Sequence, residues 1–319
     1  MKHQSSTGPS PYVQDDRPGK AEAPSDDLDA RSRRWQRTGN AAALWPGLDL
    51  RTLDPAARAI EHSAAACLHG RRATLGAADG RDATAIGIAA LVSGIGPLLG
   101  YWIERGHLDV STPVAAILAA HLAHGRARMR RIRDGVRPAL AALAGGGMAP
   151  AVIKGFHTAH VYFPEPGARP IADVDVVVTR DAFGDAERAL AAVHFTPGGS
   201  VWPYKREWYP AGMDRRIRSL ELWHADSPWN LELHGGLAFG ELPRYGVEWE
   251  NVLHGATRWE AAGVPVSVFP PPLRLATLAA HLSSELHSMR LLRLVELILV
   301  IRRDGALTSE LLLFEAVDA

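Results

Sequence analysis

The sequence predicts an α+β fold, a small mixed central sheet flanked by N-terminal and C-terminal helical regions. Three observations carry that reading. From about Leu50 to Ala144, alanine, leucine and arginine recur at helical spacing. After the break AGGGMAP, short apolar runs take over: APAVIKG, DVDVVV, SLELWH and NLELHG. From Pro271 the helical period returns in LRLATLAAHLSSELHSMRLLRLVELILVIRR, with a basic end. At 319 residues, 47% hydrophobic and 22% charged, the chain can bury a core for one large or two modest domains.

In chain order, residues 1–46 read as a disordered tail, polar and rich in Pro, Ser and Gly, without the apolar run of a signal peptide. Residues 47–147 read as helical. Thr84 to Ile103 is long enough to span a bilayer, but Gly94, Gly96 and Pro97 break it and its apolar residues are mostly small, so two short packed helices and no membrane are expected. Ser111 or Thr112 caps a long helix with Pro113 at its first position, with an interruption expected near Gly135 and Pro138. Residues 148–270 read as the strand-bearing core, where Ala182, Ala186, Leu190 and Val193 mark a helix between strands. Residues 271–319 read as the C-terminal helical region.

Charge and cysteine content narrow the function classes. Lysine plus arginine and aspartate plus glutamate balance at 35 each, so no net field holds a long polyanion and a nucleic-acid partner is not expected. The single cysteine, Cys67, excludes an intrachain disulfide and suits a cytoplasmic setting.

In ADVDVVV, Asp173 and Asp175 lie two residues apart on one strand face, with Cα atoms about 6–7 Å apart. Carboxylates that close repel unless the site is wet or a cation lies between them. Either the pair faces solvent, balanced by Arg169 or Arg180, or it holds a cation. NLELHG alternates likewise, placing Glu232 and His234 opposite Leu231 and Leu233.

The segment IKGFHTAHVYFPEPGARPIADVDVVV, a helix, and then NLELHG resemble the uncharacterised nucleotidyltransferase family of the DNA polymerase β-like superfamily. The similarity extends from about residue 50 to 303. It rests on Lys154 and Gly155 after a short strand, Arg169 before Asp-x-Asp, Asp173 with Asp175, and Glu232 two residues before His234. Two departures stand out: glutamate at the third acidic position, where aspartate is usual, and Gly-Gly after His234 in place of a bulky aromatic.

The resemblance implies a nucleotidyltransferase-like core that moves a nucleoside monophosphate from a nucleoside triphosphate, ATP being expected, to a hydroxyl of a small molecule or peptide. Asp173, Asp175 and Glu232 are then the catalytic magnesium ligands. Lys154, Gly155 and Arg169 are expected at the phosphates, and His234 holds an acidic ligand or contacts substrate. The departures leave open an inactive protein of the same fold that binds a partner or a nucleotide.

Other features have plainer readings. The arginines of GRARMRRIRDGVR, Arg126 to Arg137, suit a solvated, salt-bridged helix or an anion patch. The histidines at 121, 124, 281 and 287 lack a compact ligand motif. The aromatics of VWPYKREWYPAG fit a packed loop or an acceptor pocket.

Overall fold

The computed structural model of the protein describes residues 30–31, 33–34, 50–76, 80–202, 204–216, 224–236, 255–284 and 290–305. Of the expected tail only residues 30–31 and 33–34 are described, and they are helical; of the strand SLELWH only His224 is described. The helical region comprises α1 (Leu50–Leu68), β1 (Ala73–Leu75), α2 (Gly80–Ser93), α3 (Gly96–Glu104), β2 (Leu108–Val110) and α4 (Thr112–Gly145). In α1, Leu53, Ala56, Ile60 and Ala64 recur every three or four residues, and this stripe is buried. β1 and β2 form a two-stranded parallel ladder.

Among the described residues no single helix is long and apolar enough to cross a membrane. Ala83–Ser93 and Gly96–Glu104 pass only as a pair, bent by 117° around Gly94, whose φ of 79° glycine accommodates without a steric penalty. Both helices are core elements, as their small residues lead one to expect.

α4 begins after Ser111, whose extended backbone makes it the N-cap, with Pro113 in the first turn. It runs unbroken to Gly145, so the expected interruption at Gly135 and Pro138 is absent. Its buried side chains explain why: Val114 and Leu118 belong to the helical core, while Met129, Ile132, Val136, Leu140 and Leu143 belong to the core beneath the sheet. Each large aliphatic side chain buried there contributes about 1.5–3 kcal/mol, which offsets the hydrogen bond lost at Pro138.

The remaining elements are β3 (Ala151–Ile153), α5 (Lys154–Val161), a 3₁₀ turn (Pro166–Ala168), β4 (Asp173–Val177), α6 (Phe183–Ala192), β5 (Phe195–Trp202), β6 (Lys205–Pro210), β7 (Asn230–His234), β8 (Thr257–Ala261), β9 (Val264–Val268), α7 (Pro271–Ser284) and α8 (Leu291–Asp304). Seven strands form one mixed sheet in the order β5-β6-β7-β4-β3-β9-β8. β4 and β7 run parallel at its centre, and β3 runs antiparallel to β4. The β5–β6 hairpin replaces the loop reading of the VWPYKREWYPAG aromatics.

Alternation gives the sheet two unlike faces. Val174, Val176, Val178, Leu231 and Leu233 pack on α4 and α6. The other face carries Asp173, Asp175, Glu232 and His234. α8 inserts Leu292 and Val295 into the helical core. Asp304 accepts from Tyr162 Oη at 2.6 Å and pairs with Arg274 at 2.7 Å, tying α5, α7 and α8 together.

Candidate active site

β4 and β7 pair with Asp175 directly opposite Glu232 and Asp173 opposite Asn230. His234, one pleat beyond Glu232, turns Nε2 to within 3.1 Å of Asp175 Oδ1 and 3.5 Å of Glu232 Oε2. The ligand atoms of Asp175, Glu232 and His234 lie within 4.8 Å of one another. Two oxygens on opposite sides of a magnesium ion are about 4 Å apart, so these residues fit a divalent cation. Asp173 shares their face at the entrance of β4.

Lys154 enters from β3, whose Ile153 pairs with Asp175. Its Nζ stands 2.9 Å from Asp175 Oδ1, and its φ of 51° is unusual for a residue with a side chain. Lys205, from β6, lies 2.8 Å from Glu232 Oε2. Three carboxylates therefore meet two lysines and a histidine.

Their protonation diverges accordingly. Burial, followed by the Asp175 and Glu232 charges, pushes the Asp173 carboxyl up to about 7. Burial would raise Asp175 too, but Lys154 and His234 overcome it and hold that carboxyl far below its ordinary value. In Glu232, hydrogen bonding from His234 and the Lys205 charge outweigh burial and Asp175, again lowering it.

Arg169 departs from its expected place. It is 3% exposed and forms two 2.9 Å hydrogen bonds to Glu296 of α8, not to the aspartates. Thr158 Oγ1 also donates to Glu296 Oε1, and Arg293 Nη1 lies 3.5 Å from Oε2. Gly155 is buried beside this brace, where a Cβ would sit 2.7 Å from Arg169 Nη1. The local need for glycine is thus room for the guanidinium.

The Gly-Gly after His234 has a similar cause. A Cβ on Gly235 would approach Phe183 Cδ2 at 2.9 Å and Tyr204 Cβ at 3.0 Å. These two rings, in edge contact at 5.8 Å, fill the space an aromatic at that position would need.

One functional side chain escaped the sequence reading. Arg128, in the run read as a solvated helix, is 2% exposed. It donates to the carbonyls of Ile171 at 2.7 Å and Ala172 at 3.3 Å, just before β4, and of Ser227 at 2.7 Å and Pro228 at 2.8 Å, just before β7. One guanidinium therefore sets the two acid-bearing strands side by side. Burial lowers its pKa to about 10, helped by Arg131 and opposed by the Asp173 charge. The available signal was periodic: position 128 continues the buried stripe of His121, Gly125, Ile132 and Val136.

Comparison with curated proteins and with solved structures finds no match. The family model for uncharacterised nucleotidyltransferases matches residues 79–318, well over half of the chain, and takes in every site residue described above. The chain belongs to the uncharacterised nucleotidyltransferase family.

Proposed function

We propose that the protein carries out magnesium-dependent transfer of a nucleoside monophosphate from a nucleoside triphosphate, ATP being the expected donor, to a hydroxyl of a small molecule or peptide, on a core of the DNA polymerase β-like type. The observation that carries this reading is the register: Asp175 faces Glu232 across adjacent parallel strands, with Asp173 one pleat away and His234 reaching both acids. The acceptor oxygen bonds to the α-phosphorus as the bond to the β-phosphate bridging oxygen breaks. Pyrophosphate leaves and the hydroxyl proton passes to solvent.

Asp173, Asp175 and Glu232 are the residues that would hold magnesium. Bound there, it neutralises triphosphate charge and acidifies the attacking hydroxyl. His234 fixes the orientation of Asp175 and Glu232. Lys154, at the start of α5, exchanges its contact with Asp175 for a phosphate oxygen. Arg169 acts at one remove, bracing α5 against α8.

Calorimetric titration of a non-hydrolysable ATP analogue with magnesium tests the reading. Wild type is expected to bind the analogue only when magnesium is present, and Asp173→Asn and Asp175→Asn are expected to lose that binding while remaining folded. Unchanged binding or turnover in either variant overturns the mechanism. Lys154→Ala is expected to weaken analogue binding by about tenfold, the equivalent of one charge-assisted hydrogen bond.

The Lys205–Glu232 ion pair at 2.8 Å favours a second reading, a partner- or nucleotide-binding module in which the third acidic residue is already neutralised. Magnesium-dependent nucleotide binding without pyrophosphate release on any acceptor would select it.

A further inference from the structure

The arginine run separates by face once α4 is built. Arg128 is buried, and Arg131 donates to the carbonyls of Ala225 at 2.8 Å and Ser227 at 3.1 Å. Arg126, Arg130, Arg133 and Arg137, at spacings of four, three and four, form one stripe, about 16 Å long at 1.5 Å per residue. This stripe is one wall of a groove of about 720 Å³. The facing wall comprises His160 at the end of α5, the turn at Pro166 and Gly167, and the β8–β9 hairpin turn with Glu260.

The two walls differ in hydrogen-bonding character. Arg126 is consumed by Glu104 and Glu165. Arg133 meets only its exposed neighbour Asp134, at 3.2 Å, among the ion pairs of the described residues. Arg130 and Arg137 are exposed and have no carboxylate within 4 Å among the described residues. Opposite them, His160 Nδ1 lies 2.8 Å from the Phe156 carbonyl, which can only accept, so Nδ1 carries the proton and Nε2 offers a lone pair. Burial lowers this imidazole's pKa, with a smaller push from Arg133, and so keeps it neutral. Glu260, exposed on the hairpin, supplies a second acceptor.

We infer that this groove is a docking site for an acidic peptide segment, whose carboxylates meet Arg130, Arg133 and Arg137 and whose backbone N–H groups or a basic side chain meet His160 and Glu260. A peptide presents acceptors on one side and donors on the other, matching the two walls. A phosphodiester strand presents acceptors all round and would face Glu260 unfavourably. Among the described residues no Phe, Tyr or Trp lines the groove to stack a base. The site residues of the sheet do not line it either. The inference is therefore independent of the transfer reaction and adds a place where an acidic segment of a protein partner is held.

Fluorescence anisotropy of a labelled hexaglutamate peptide on the full chain tests it, with a labelled six-nucleotide RNA as comparison. Arg130→Ala with Arg137→Ala is expected to weaken hexaglutamate binding at least tenfold, and the RNA is expected to bind more weakly than the peptide. Arg71→Ala with Arg72→Ala, which removes the same charge from an exposed segment, is expected to change peptide binding less than twofold. No binding by wild type, or equal loss in the two double variants, would reduce the groove to general surface charge and overturn the inference. Tighter binding of the RNA would overturn it in favour of nucleic acid. If the double variant loses its thermal transition, the single Arg137→Glu is used with the same expectation of tenfold loss.

Discussion

Arg169 and Glu296 meet in two 2.9 Å hydrogen bonds with side chains 3% and 1% exposed, whereas Asp173, Asp175 and Glu232 crowd the sheet face with Lys154, Lys205 and His234 around them. In the first cluster the carboxylate is fully answered: Arg169 binds both oxygens, with Thr158 and Arg293 beside them. In the second, carboxylates outnumber lysines. Burial acts on both, yet the Glu296 carboxyl is held down at about 2 against it by the Arg169 charge and hydrogen bonds, while that of Asp173 is driven up to about 7. The first cluster braces the fold; the second is the one for which we propose a cation.

The largest effect is expected from breaking the brace. Glu296→Gln leaves Arg169 buried without its counter-charge and should lower unfolding stability by about 3–5 kcal/mol in urea titration. Restoring balance with an apolar pair, Arg169→Met with Glu296→Leu, should recover most of it, since the cost comes from the uncompensated ion and not from lost packing. A double variant as unstable as Glu296→Gln would show that the two positions do not act as a pair.

That brace marks the limit of what the sequence could disclose. The carboxylates were legible because strand alternation fixes the face of each side chain, and Asp-x-Asp and Glu-x-His both carry the period of two. The fold class was legible for the same reason, from a change of period at Gly145–Pro150 and again at Pro271. Arg169 departs from its expected place because its partner lies 127 residues later on α8, whereas the expectation rested on its nearness to Asp173 and on the resemblance. Arg128 was misread because a buried arginine satisfied by carbonyls has no partner side chain to recognise. The β8–β9 hairpin, whose strands are as long as β4 and β7, carries no acidic pair to mark it and is absent from the sequence reading.

The pH dependences of Glu296 and Asp173 run in opposite directions, which sharpens the comparison with an effect of intermediate size. Glu296 titrates near 4.5 unfolded and about 2 folded, so its contribution is present above pH 4.5 and lost as pH falls toward 2. Asp173 titrates at 3.8 unfolded and about 7 folded, so its cost is absent below pH 3.8, grows as pH rises and is complete above 7. Asp173→Asn should therefore match wild type near pH 4 and exceed it at pH 8 by on the order of 2 kcal/mol, or about 4 °C in Tm, without divalent metal. Added magnesium should stabilise wild type at pH 8 and leave the variant unmoved. A variant less stable than wild type at pH 8 would mean that Asp173 is held by interactions favouring its charge, and the contrast with Glu296 would collapse.

The smallest effect isolates the competition between lysine and metal. Lys205, 28% exposed, lies 2.8 Å from Glu232 at the outer edge of the carboxylate cluster, while Lys154 holds Asp175 deeper in. Lys205→Met removes one cation but keeps the side-chain stem that covers the sheet. At the effective dielectric of a partly solvated site the lost repulsion toward a divalent ion is worth about 1 kcal/mol after screening, so magnesium should bind roughly fivefold tighter by calorimetry. The ATP analogue, which gains nothing from a lost positive charge, should bind no tighter at saturating magnesium. If magnesium instead binds more weakly, Lys205 orients Glu232 for the metal and does not compete with it. Lys205 would then belong to the cation site itself, holding Glu232 as Arg169 holds Glu296.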